Sequence, residues 1–234
     1  MRKLAPGLAL LFACFNADAQ DRLNDNSTDS LIAAYNSQRG AALPIFNGRQ
    51  YIGYSHQIQG FPSYLSSDWQ QGSVLYDGRW YHGISLMYDS YQDQVVVRSP
   101  NGFPYVLVNY RVSEFNFAGQ HFISIKEGME NKLKPGFYQR LRNGKAELLV
   151  KRIKKLEERV NGSEIDRRFL TADKFFIVHN NQLTAVSKQR DLLDALKERR
   201  QDVQNHLRSQ NLNFKQDTES AIASAVDFFN QLTN

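Results

Sequence analysis

Four Asx-Gly pairs punctuate the middle of the chain: Asn47-Gly48, Asp77-Gly78, Asn101-Gly102 and Asn143-Gly144. Each is flanked by β-branched or aromatic residues, and an Asx-Gly pair accepts the positive φ that a tight hairpin turn requires. The reading is a chain of hairpins. Residues 73–76 and 79–88 form one, with Trp80, His82, Ile84 and Leu86 alternating with Tyr81, Gly83, Ser85 and Met87. Residues 94–98, 105–112, 114–117 and 121–126 continue it, with Phe115 and Phe117 on one strand face. Residues 137–141 and 146–153 pair across Asn143-Gly144. Residues 154–164 are highly charged and read as an exposed loop or a strand extension. The last β runs are 169–171, 174–178 and 182–186, the final pair turned by Asn180-Asn181.

After Val186 the period changes. Leu192, Leu193, Leu196, Val203 and Leu207 recur at helical spacing. Ser187 is the expected N-cap of this segment, and Asp217 that of a terminal helix with a buried stripe of Ile222, Val226, Phe229 and Leu232. The expected fold is mainly β, an antiparallel barrel or sandwich built from hairpins, followed by two or three C-terminal α-helices, α+β overall. The expected organisation is a signal peptide over 1–19, a flexible or short-helical leader over 20–40, a β-domain over 41–186 and a helical segment over 187–234 packed on it.

The signal reading rests on Arg2 and Lys3, an apolar run over 4–15 and the small residues of Ala17-Asp18-Ala19. That run is short of the roughly 20 residues a transmembrane helix needs, so no membrane span is expected. The expected location is the periplasm or the cell exterior. The alternative treats residues 11–14 as a lipobox and makes Cys14 the lipidated first residue of an outer-membrane lipoprotein. Cys14 is the only cysteine, so stability must come from a core rather than from disulfides.

Residues 21–131 hold 7 Lys/Arg against 10 Asp/Glu, and residues 132–234 hold 20 against 13. The basic run 132–155, bounded by Lys132 and Lys155, could meet an anionic surface. Its bland alternative is a solvated face. Export argues against nucleic acid as the partner.

The common local motifs are missing: no phosphate-binding glycine loop, no Gly-x-Ser-x-Gly elbow and no His-Glu-x-x-His pair. No cofactor is implied. Of His56, His82, His121, His179 and His206, none has metal-ligand spacing with another, so no metal site is expected. His82 is the most site-like, and a hydrolytic site built from distant strands would use it with Asp77, Asp89, Asp93 or Glu114. Asp77 and Asp89 stand ~40 Å apart along an extended strand, too far to flank one sugar bond. Asp89 and Asp93 bracket a turn, where capping is the plainer reading and calcium the sharper one. Aromatic residues make up 12% of the chain. Tyr51, Tyr54, Phe61, Tyr64, Trp69, Tyr76, Trp80, Tyr81, Tyr88 and Tyr91 fall within about forty residues, and most of them read as core. Trp69, Trp80, Tyr81 and His82 are the candidates for stacking on a sugar or meeting a protein.

Residues 75–97 read Leu75-Tyr76-Asp77-Gly78, then Tyr81-x-Gly83-x-x-Leu86-x-Tyr88-Asp89, then Asp93-x-Val95-Val96. Phe115, Gly136-Phe137-Tyr138 and residues 148–152 follow. This order resembles a group of uncharacterised exported proteins of Bacteroidota. The resemblance implies a β-rich region joined to a Lys-rich helical tail and assigns no catalytic residue. The functional expectation is a non-catalytic envelope module that binds a protein or glycan. A hydrolase and a lipid-associated protein are the alternatives.

Overall fold

The computed structural model describes residues 40, 43–55, 57–127, 133–162 and 164–233. The signal segment with Cys14, the leader apart from Gly40, and His56 lie outside the described residues. Thirteen strands are described. They are β1 (Arg49–Gln50), β2 (Gln70–Tyr76), β3 (Arg79–Asp89), β4 (Gln94–Arg98), β5 (Pro104–Val106), β6 (Val112–Phe117) and β7 (Gln120–Ile125), then β8 (Gly136–Arg142), β9 (Ala146–Lys151), β10 (Lys154–Asn161), β11 (Glu164–Thr171), β12 (Lys174–His179) and β13 (Gln182–Val186). Three helices close the chain: α1 (Gln189–Ala195), α2 (Arg200–Ser209) and α3 (Thr218–Thr233). No described helix is long and apolar enough to cross a membrane.

Eleven strands make one antiparallel sheet in the order β1-β5-β4-β3-β2-β6-β7-β8-β9-β12-β13. The return of β6 to lie beside β2 gives a Greek-key step. That step forces curvature. On a flat sheet Val106 and Val112 would lie about 19 Å apart across four strand spacings and about 20 Å apart along the strands. Six residues reach at most ~22 Å, and these include a 3-10 turn, Asn109–Arg111. The sheet must therefore curl. It does not close: β1 and β13 are its two ends, so the barrel alternative is not realised.

Gly83 decides which residues face the core. Gly72 pairs with Ile84 and Ser73 with His82, so Gly83 is the extra residue of a bulge, with φ +63°. The bulge shifts the alternation by one residue. Tyr81 therefore shares the inner face with Ile84, Leu86 and Tyr88 and is 3% exposed, while Trp80 and His82 stack on the outer face. Simple alternation, which groups Trp80 and His82 with Ile84 and Leu86, is wrong here for this reason. A Cβ added at Gly83 meets nothing within 4 Å, so Gly83→Ala carries only the cost of a left-handed backbone. We expect about 1–2 kcal/mol of destabilisation, read as a lower urea midpoint at unchanged slope.

The inner face carries two cores. Under β2 to β8, Val74, Tyr76, Tyr88, Val95, Phe115, Phe122 and Phe137 pack together, with Ile45 and Phe46 inserted from a 3-10 turn. Under β9, β12 and β13, Leu148, Val150, Ile177 and Val186 pack against Leu192, Val203, Leu207, Ile222, Val226 and Phe229 of the helices. Leu232, expected in that stripe, is instead 39% exposed.

Three local expectations are sharpened. Of the two readings of residues 154–164, the strand holds and the loop does not. These residues hold β10 and the start of β11, a separate two-stranded sheet laced by Glu157–Arg168 and Glu158–Arg167 ion pairs. Gly144 has no left-handed φ. Its lack of a side chain instead lets Asn230 of α3 approach, since a Cβ would sit 2.5 Å from the Asn230 amide nitrogen. That amide bonds the N–H and the C=O of Ala146. Ser187 is not itself the N-cap of α1. Lys188 holds that position, and Asp191 accepts from the Ser187 N–H and hydroxyl and from the Lys188 N–H. Asp217 caps α3 as expected, accepting from the Ser220 N–H at 3.0 Å.

Candidate functional site

The aromatic candidates do not converge. Trp80 and His82 stack with ring centroids 5.7 Å apart. Trp69 lies under the Arg98 guanidinium at 5.8 Å. Trp80 pairs with Leu75, six residues along the strand from Trp69, a separation of about 20 Å. Tyr81 is buried in the core.

The carboxylates proposed to act with His82 are committed elsewhere. Asp77 pairs with Arg111 at 3.3 Å and Glu114 with His121 at 3.0 Å. Asp89 is fully buried and accepts from the Tyr51 and Tyr54 hydroxyls and the Tyr91 and Gln92 N–H groups. Asp93 accepts from the Tyr88 hydroxyl at 2.6 Å and from Lys151 at 2.6 Å. Asp89 thus caps its turn, and both carboxylates are occupied by protein donors. Among the described residues no group of three or more His, Cys, Asp or Glu gathers to hold a metal ion. His179 donates its Nδ1–H to the Lys145 carbonyl at 2.9 Å and packs edge-on against Phe229. His206 stacks on Phe228 and bonds Ser224.

The basic run bounded by Lys132 and Lys155 divides in two. Arg140, Arg142, Lys151 and Arg152 are bound to Glu147, Asp227, Asp93 and the Asp173–Glu219 pair respectively. Lys134, exposed, has no ion-pair partner among the described residues. Lys132 lies outside them.

What the run does build is a cleft of about 800 Å³ where β8 and β12 begin and β9 and β13 end. Leu133, Pro135, Tyr138, Phe175, Phe176 and Val186 give it apolar walls. Lys134 and Lys174 are exposed at its margin, and Lys151 lies inside. The volume and the mostly apolar lining are those of a small-ligand site.

The shielded polar groups of the cleft, Lys151, Tyr138, Asp173 and Thr218, are each held by hydrogen bonds. Lys151 donates to Asp93 and to the Phe137 carbonyl at 3.1 Å and lies 5.0 Å from the Tyr138 ring centroid. Burial pushes its ammonium below the ordinary value, and Asp93 opposes that shift. Tyr138 donates to the Lys134 carbonyl at 2.9 Å. Burial first, then the Asp93 charge, raises its phenol to about 12, so it stays protonated at neutral pH. Asp173 accepts from Arg152 at 2.7 Å and from the Ile153 N–H at 2.9 Å. Thr218 donates to the Phe214 carbonyl. No group in the cleft is placed as a free base.

Behind the cleft, at the seam between the two cores, Arg152 is 4% exposed. It reaches Gln139, Asp173 and both carboxylate oxygens of Glu219 at 2.6–2.8 Å and lies 5.0 Å from the Tyr64 ring centroid. Burial acts to lower its pKa, but the bonds to Glu219 and Asp173 outweigh that and hold it charged. The network ties the first turn of α3 to the sheet.

Sequence reasoning missed Tyr138, Lys151, Asp173 and Phe176 as neighbours. The one available signal was the alternation Leu149-Val150-Lys151 at a strand end, which places Lys151 on the face opposite Val150. No protein-family model, no curated protein and no solved structure matches the chain.

Proposed function

We propose that the protein is an exported, non-catalytic binding module of the cell envelope, and that it takes an apolar ligand or partner group into the cleft beside Lys151. Export rests on the charged, apolar and small-residue order of the first nineteen residues. The reading is carried by one observation: the cleft is walled by apolar and aromatic side chains while the acid and base groups inside it, Tyr138, Lys151 and Asp173, are engaged by protein partners. A catalytic cleft needs a base within reach of substrate and able to take a proton. Here the hydrogen bonds serve packing, and the space left over is apolar. Lys174 and Lys134 at the margin favour a ligand whose accessible end is negative.

The test uses 1-anilinonaphthalene-8-sulfonate, an apolar body with one sulfonate. Saturable binding at one site is expected. Lys174→Gln should weaken it about fivefold, the effect of ~1 kcal/mol from one surface charge, and Phe176→Asp should abolish it with the fold retained by circular dichroism. Binding that is absent in the unaltered protein, or indifferent to both changes, would remove the reading.

A further inference from the structure

We propose that the ligand is an anionic amphiphile, its apolar chain in the cleft and its negatively charged, hydroxyl-bearing head in a second depression beside it. This rests on the reading of the cleft given above and names the class of molecule that fills it. The second depression, of about 900 Å³, lies between the start of α1 and the α2–α3 connection. Ser187 lines both spaces, so they adjoin.

The chemistry of the two differs sharply. Lys188, Arg208 and Lys215 line the second depression together with the amides of Gln189, Gln204 and Asn211, and no carboxylate does. None of the three cations forms an ion pair among the described residues, whereas Arg190, Arg199 and Arg200 on the same helical segment each do. The three amides make no side-chain hydrogen bond among the described residues, while Asn213 beside them caps the Lys215 N–H. Leu207 and Phe214, both buried, give this depression an apolar floor. Cations recognise an acidic group by charge, and amides serve hydroxyl or carbonyl oxygens through both donor and acceptor. An apolar cleft that shares its Ser187 wall with such a surface is complementary to a molecule with a hydrocarbon end and a phosphate- or carboxylate-bearing polar end. It does not match a neutral lipid, which would leave the cations unused. Nor does it match a bare anion, which would leave the cleft empty.

The experiment compares dodecyl phosphate, dodecyl maltoside and inorganic phosphate by calorimetry, below the micellar range, on the full mature chain. Dodecyl phosphate should bind about tenfold more tightly than dodecyl maltoside, and inorganic phosphate at least 100-fold more weakly than either. A Lys188→Gln, Arg208→Gln, Lys215→Gln triple variant, all at exposed positions, should erase the preference for phosphate and leave anilinonaphthalenesulfonate binding within about twofold. Equal affinity of the two amphiphiles in the unaltered protein, or a preference that survives in the triple variant, overturns the inference while the apolar cleft stands. Inorganic phosphate as tight as dodecyl phosphate overturns it in favour of a free anion. Loss of all amphiphile and anilinonaphthalenesulfonate binding in the unaltered protein overturns the cleft reading itself.

Discussion

Arg152→Ala lowers the unfolding free energy by about 3–5 kcal/mol, the cost of removing one partner from a buried, hydrogen-bonded ion network. The guanidinium is 4% exposed and bridges elements far apart in the chain: Gln139 of β8, Asp173 between β11 and β12, and Glu219 in the first turn of α3. Without it Asp173, itself well shielded, and Gln139, 1% exposed, face each other across the seam with no cation between them. The loss is not Coulombic alone. The guanidinium also lies over the Tyr64 ring, 5.0 Å from its centroid. Arg152→Lys should recover little, because a point ammonium cannot make the paired bonds to Glu219 and the separate bonds to Asp173 and Gln139. Glu219→Gln should cost less than Arg152→Ala, since Glu219 is partly exposed and its carboxamide keeps one acceptor. Urea unfolding of the three variants, followed by circular dichroism, gives the order. An Arg152→Ala midpoint equal to that of Glu219→Gln would show that the guanidinium does not organise the seam.

How far the fold is legible in the chain varies by element. The Asp77-Gly78 turn was readable because both residues adopt positive φ, +50° and +73°, the conformation that their chemistry favours. Asn180-Asn181 was readable for the same reason. The switch to helices after Val186 followed from leucine spacing, which periodicity captures. Gly83 was not readable as a bulge, because one extra residue leaves local composition unchanged while inverting the phase of every neighbour. The β10–β11 arms were half readable, as a loop or strand extension over 154–164 and a β run over 169–171. Two of their eight registered pairs are ion pairs, which breaks the apolar alternation that would have marked them. The site was illegible for a third reason. Lys151 meets Asp93 across 58 positions in sequence, and Lys151 and Arg152, adjacent in the chain, enter separate networks. A basic run seen in sequence thus became a cleft wall, a buried seam and only a remnant of exposed charge.

Phe115→Ala should cost about 3–5 kcal/mol, the range for truncating a fully buried aromatic ring. Phe115 is wholly inaccessible and is the point at which the first core interlocks. Its ring is parallel to Phe122 with centroids 4.7 Å apart, stands edge-on to Phe137 at 5.3 Å, and lies 5.5 Å from Tyr88. Part of the cost is the exposure of apolar area on unfolding that no longer occurs, and part is the void, which stiff neighbouring rings cannot fill by small rotations. Those rings are held from several sides: Tyr88 by its hydroxyl bond to Asp93 and Phe122 by Tyr64. The cavity should therefore persist, placing the loss in the upper part of the range. Phe103→Ala, at a ring that is 55% exposed, is the matched control and should change stability by no more than about 0.5 kcal/mol. Because Phe137 turns to the Phe115 core while Tyr138, next to it on β8, turns to the cleft on the other face, the Phe115→Ala protein that remains folded should bind anilinonaphthalenesulfonate with unaltered affinity. A parallel loss of stability and binding would instead mean that the curl around Phe115 sets the shape of the cleft.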